Sequence, residues 1–179
     1  LTRTFFWGEP PKSKVFIFYS EGAELISENV LGDIGHSILD VRKPPYPIDA
    51  RLSLWLFLHL RLYAFRLFMR NGRLRIARET LRDLEEHYYY VLLKANKPLV
   101  AITFIDSSVL FYSLAVKCPN TKFIAMQNGI RLAEWAIDLE KELRRINGEA
   151  VVNSGYFLGQ QTVDLLTKHN VKVIEPNIL

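Results

Sequence analysis

The stretch from Leu99 to Arg131 constrains the fold more than any other part of the chain. It holds two apolar, β-forming runs, Leu99 to Ile105 and Lys122 to Met126, which end in the polar clusters Asp106-Ser107-Ser108 and Gln127-Asn128-Gly129. Between them, Val109 to Lys117 reads as helix. Short continuous apolar runs are the pattern of strands covered on both faces, and strand, helix, strand is the unit from which parallel sheets are built. In an open parallel sheet the carboxyl ends of the strands share one edge, and ligands bind in the crevice outside it. Asp106 and Gln127-Asn128 are therefore expected on one crevice.

The same alternation extends in both directions. Val15 to Tyr19 reads as a buried strand, Ser20-Glu21-Gly22 as a tight turn and Ala23 to Val30 as a helix, after which a second strand fits Ser37 to Val41 and is stopped by Pro44, Pro45 and Pro47. Toward the C-terminus come a helix over Arg131 to Ile146, a short strand over Ala150 to Asn153, a turn at Gly155 to Phe157, a helix over Gly159 to Lys168 and a last strand over Val171 to Ile174, before Pro176. The expected fold class is α/β and Rossmann-like: a mostly parallel sheet with helices on both faces, built by residues 1–179 as a single domain. Leu1 to Lys14, with Phe5-Phe6-Trp7 ahead of Gly8, Pro10 and Pro11, reads as a lead-in that packs its aromatics.

Two segments depart from the simple alternation. Arg78 to Lys97 repeats Leu81, Leu84, Tyr88, Val91, Leu92 and Ala95 at spacings of three and four, a helix that Pro98 ends. Ahead of it, the basic aromatic segment at about 48–78 sets Leu54-Trp55-Leu56-Phe57-Leu58 against His59, Arg61, Arg66, Arg70, Arg73, Arg75 and Arg78. Its apolar run is shorter than the roughly 20 residues that cross hydrocarbon. Two readings fit: an interfacial helix over Leu52 to Arg78 with arginines on lipid phosphates, or a helix packed on the sheet or a second domain with arginines reaching outward.

Composition narrows the partners. A net charge of +4 suits an anionic sugar, a nucleotide, a phosphate or an acidic membrane, and no nucleic-acid-binding signature accompanies it. The single cysteine, Cys118, allows no internal disulfide or cysteine cluster, and His87 has no His or Cys close in sequence, so no metal is expected. Gly22 stands alone where a dinucleotide fingerprint needs three glycines, so no cofactor is expected, and Asp40 reads as a strand-end acid. Leu1-Thr2-Arg3-Thr4 opens neither with methionine nor into a signal peptide, and the chain reads as a cytoplasmic portion of something longer.

Serine-hydrolase elbows, a phosphate-binding glycine loop and H-E-x-x-H are all missing from the sequence. What remains is a set at the expected strand ends: Glu21-Gly22, Asp40, Asp106-Ser107-Ser108, Gln127-Asn128-Gly129, Arg131 and Asn153-Ser154. Each has a structural reading, such as Asp106 or Ser107 capping the helix near Val109, or Asn128-Gly129 forming a turn. Together they form a ligand edge: Asp106 as general base or hydroxyl acceptor, Gln127 and Asn128 as amide contacts, Gly129 for close approach and Arg131 for a carboxylate or phosphate.

Ile38-Leu39-Asp40-Val41-Arg42, Thr103 to Ser108 and Phe123 to Arg131, in that order, resemble the N-terminal half of bacterial surface-carbohydrate biosynthesis transferases of glycosyltransferase-B-like architecture. More distantly, Gln127-Asn128-Gly129 is similar to the Gln-His-Gly turn of glycerophosphotransferases that build teichoic-acid-like polymers, with Asn128 in the place of the histidine. The resemblance implies two Rossmann-like domains, of which this chain is the acceptor-side half. It also implies a nucleotide-sugar donor held by a C-terminal domain, a glycan or lipid-linked acceptor, and a place at the inner face of the cytoplasmic membrane. The alternatives are a non-catalytic sugar- or nucleotide-binding module using the same edge, or a glycerophosphotransferase of the teichoic-acid type.

Overall fold

The computed structural model describes residues 5–18, 31–40, 46–71, 84–103, 108–127, 133–145, 150–169 and 171–178. Its contacts separate the chain into two compact units, residues 1–11 with 43–96 and residues 12–42 with 97–179, where the sequence reading treats residues 1–179 as one domain. The basic aromatic segment, expected at about 48–78, falls in the first of these together with the N-terminal lead-in.

The larger, sheet unit holds β2 (Val15–Phe18), β3 (Ser37–Leu39), β5 (Val100–Thr103), α3 (Val109–Lys117), β6 (Lys122–Met126), α4 (Ala133–Arg145), β7 (Ala150–Phe157), α5 (Gln160–Lys168) and β8 (Val171–Ile178). Its six strands are all parallel, in the order β3-β2-β5-β6-β7-β8. The architecture is α/β and Rossmann-like, a parallel sheet flanked by helices. On one face Ile17 and Ile102 are packed with Val15, Leu31, Val100, Ile124 and Met126. On the other, the Phe111 ring of α3 sits edge-on to Phe18 at 5.8 Å and to Phe123 at 5.1 Å. Covering both faces explains why these strands carry unbroken apolar runs.

Two expectations in this unit are corrected. The sequence reading stops a strand at Asn153 and places a turn at Gly155, yet β7 runs unbroken to Phe157. Its turn-like residues have other work: Asn153 Oδ1 accepts from the Phe123 N–H at 2.8 Å, and Ser154 Oγ donates to Glu175 Oε2 at 2.8 Å. A Cβ on Gly155 would lie 2.2 Å from the Phe157 ring, so the glycine makes room for that ring. Likewise β8 continues through Pro176, opposite Gly155, instead of ending at Ile174. As the edge strand, β8 tolerates a residue that cannot donate to a ladder.

The helical unit holds β1 (Phe5–Trp7), β4 (Tyr46–Ile48), α1 (Ala50–Asn71) and α2 (Leu84–Asn96). The lead-in is thus a strand, paired in parallel with β4, and Pro47 is accommodated because the sheet is two-stranded. Phe5 packs against Tyr46 and Tyr88 with ring centroids 6.2 and 5.6 Å apart, whereas Trp7 is 73% exposed, against the expectation that all the lead-in aromatics pack. Helix α2 ends at Asn96, where Lys97 turns left-handed at φ 48° and Pro98 follows. The expected N-terminal part of this helix, 78–83, lies outside the described residues.

Candidate functional site

The strand order reverses at β2: β3 lies on one side of it and β5, the next strand of this sheet along the chain, on the other. In doubly wound sheets such a switch point opens a crevice outside the carboxyl ends of the two central strands. Those ends are Phe18 and Thr103, which are register partners, with Ala125 of β6 next in line. Buried Thr103 binds the strands together here, its Oγ1 donating to the Phe18 carbonyl at 3.4 Å.

Glu21 and Gly22 follow β2 in the chain, Asp106 and Ser107 follow β5, and Asn128, Gly129 and Arg131 follow β6. All seven lie outside the described residues; the topology brings together, at one sheet edge, the strands that they follow in the chain. Asp40 continues directly from Leu39, the register partner of Phe18, and so belongs to the same edge.

Gln127 is the site residue whose geometry is described. It is buried, its N–H donates to the Tyr156 carbonyl at 2.8 Å, and its Oε1 accepts from the Leu158 N–H at 2.9 Å. The side chain therefore ties the end of β6 to the turn between β7 and α5. Asn153 and Ser154, by contrast, sit within β7 rather than at a strand end, since β7 extends to Phe157.

Helix α3 begins at this edge, and the residue capping it is Ser108, not Asp106 or Ser107. Its Oγ accepts from the Phe111 N–H at 3.3 Å, satisfying one of the donors that a helix start leaves open.

The helical unit contains a cluster that sequence reading missed. His87, expected to lack a histidine neighbour, has its Nδ1 2.9 Å from His59 Nε2, so one imidazole donates to the other. Tyr63 and Tyr90 lie against the pair, with ring centroids 4.4 Å from His87 and 4.9 Å from His59 respectively. The two histidines are 28 residues apart in sequence and meet only because α1 packs along α2. No local signal in the sequence joins the two positions, since they lie on different helices. Among the described residues, no group of three or more His, Cys, Asp or Glu side chains is arranged to hold a metal ion.

Compared with known proteins, the chain matches no family model, no curated protein and no solved structure.

Proposed function

We propose that the sheet unit is the acceptor-side half of a glycosyltransferase that moves a sugar from a nucleotide sugar to a glycan or lipid-linked acceptor of a bacterial surface polysaccharide. The observation that carries this reading is the switch point between β2 and β5, where the segments bearing Glu21-Gly22 and Asp106-Ser107 continue from adjacent strand ends. Asp106 serves as the base that takes the acceptor hydroxyl proton as the sugar's bond to the nucleotide breaks. Ser107, Asn128 and Arg131 contact the acceptor, Glu21 and Gly22 border it, and Gly129 admits it to the backbone. Gln127, whose Oε1 is engaged by Leu158, acts as the positioning residue for that segment. In this reading the nucleotide sugar is held mainly by a C-terminal domain, and the protein works at the inner face of the cytoplasmic membrane, where lipid-linked acceptors are made.

Asp106→Asn tests it. Transfer from a panel of nucleotide sugars to a lipid-linked acceptor should fall by about 10²- to 10⁴-fold, the usual contribution of a positioned base. The urea midpoint should not move. Normal turnover in the variant would remove Asp106 from the chemistry.

A further inference from the structure

The transferase reading leaves the outer face of α1 without a purpose. One side of this helix, through Leu52 and Leu56, is buried. The opposite side carries Leu54, Leu58, Leu62, Phe65 and Met69, each at least 50% exposed, in steps of four, four, three and four residues. That spacing draws one continuous stripe, about 22 Å long at 1.5 Å per residue. Folded proteins rarely leave so extended an apolar surface in water without an occupant.

The charges around the stripe decide which occupant fits. Helix α1 contains four arginines and no aspartate or glutamate. At about 100° per residue, Arg61 and Arg66 fall on opposite flanks of the stripe and Arg51 at its N-terminal end, and all three are exposed. Arg61 is held at its flank by the Phe57 ring, with the guanidinium carbon 4.9 Å from the centroid. A second copy of the chain would set arginine rows against each other with no acid on either helix to compensate. An apolar groove in another protein would cover the stripe and strand the flanking guanidiniums. An anionic bilayer surface satisfies both, because acyl chains take the stripe while phosphates take the arginines. Among the described residues no helix is long and apolar enough to cross a membrane, so the contact is one lying in the surface.

We infer that α1 docks this face into an anionic phospholipid bilayer, with Leu58, Leu62 and Phe65 among the acyl chains and Arg51, Arg61 and Arg66 on lipid phosphates. The inference rests on the proposed place at the membrane face and is independent of the transfer chemistry.

Its test is vesicle binding by the full chain, in which Trp7→Phe and Trp135→Phe leave Trp55, beside the stripe, as the single tryptophan. Phosphatidylcholine vesicles containing phosphatidylglycerol should sediment the protein and shift Trp55 emission to the blue, and pure phosphatidylcholine vesicles should not. Arg61→Gln with Arg66→Gln should weaken partitioning by roughly 30-fold, and added salt should weaken it further. Leu62→Ser with Phe65→Ser should abolish it, and since both side chains are exposed the far-ultraviolet dichroism should be unchanged. Absence of binding, equal binding to both vesicle types, or self-association that shields Trp55 without lipid would overturn the inference. Transfer to a water-soluble acceptor by the protein with its donor-holding C-terminal domain, assayed without vesicles, separates the two proposals. Transfer without vesicle binding overturns the membrane face alone, and vesicle binding without transfer supports it while overturning the transferase reading.

Discussion

The two units of this molecule are stabilised by different kinds of interior. In the sheet unit, Phe16, Ile17, Phe18, Phe123 and Val152 are buried without any polar atom in their side chains, and register is set by backbone ladders. Thr103, Tyr112 and Gln127 are buried there as well; the helical unit buries Leu52, Leu92 and Leu93 too, and differs in its cluster of three neighbouring tyrosines, Tyr46, Tyr88 and Tyr89, beside His87 and Glu86. Tyr46 and Tyr88 stack with centroids 5.2 Å apart, Tyr46 donates to Glu85 Oε1 at 2.8 Å, and Tyr88 donates to the Pro47 carbonyl at 2.8 Å. Burial pushes the Tyr88 and Tyr89 hydroxyls above their ordinary range, so both stay protonated and able to donate. It also raises the Glu85 carboxyl, an effect that the Tyr46 hydrogen bond opposes. The difference follows from topology. Six paired strands define their own register, whereas two helices and a two-stranded sheet could slide unless particular hydroxyls had particular acceptors.

The comparison breaks most readily at Phe123. Truncation by Phe123→Ala removes a fully buried ring that meets Phe111, and should cost about 3–5 kcal/mol in urea unfolding. A loss below about 1 kcal/mol would mean that the sheet interior relaxes into the gap and is not tightly packed. Tyr88→Phe sharpens the contrast from the other side, since it keeps the ring and removes only the donor to Pro47. It should cost about 1 kcal/mol, the usual worth of such a bond. A neutral result would show that ring stacking alone holds the helical unit, as apolar packing holds the sheet.

The same contrast explains what was legible in the chain. Val109 to Lys117 and Lys122 to Met126 have in the structure the bounds that periodicity and apolar continuity suggest, because a helix and a doubly buried strand each write their period into sequence. The end of β7 was not legible, since Asn153, Ser154 and Gly155 look like turn residues while their actual partners, Phe123, Glu175 and the Phe157 ring, lie on other strands or close over the strand itself. The pairing of His59 with His87 was equally hidden, as nothing local joins residues on two helices. At the candidate site, Gln127 could be read as a polar strand-end residue but not as the acceptor for Leu158, a partner 31 residues away. Local propensity names elements; their mutual contacts are decided by tertiary packing.

The smallest expected effect concerns a polar contact between two helices of the sheet unit. Glu140 of α4 accepts from Nδ1 of His169, the residue capping α5, at 2.5 Å, and also pairs with Arg144 one turn away. The His169 hydrogen bond first, and the Arg144 contact second, hold the Glu140 carboxyl below its ordinary value of 4.5. An acid held low in the folded state contributes stability that is fully present above its unfolded value and disappears as pH falls through the folded one. Glu140→Gln should therefore lower the urea midpoint slightly and by a constant amount above about pH 5, with wild type and variant converging as pH drops below about 4. An offset that stays constant as pH falls through the carboxylate range would mean that the difference comes from packing rather than from the ionised Glu140 carboxylate that ties α4 to the end of α5.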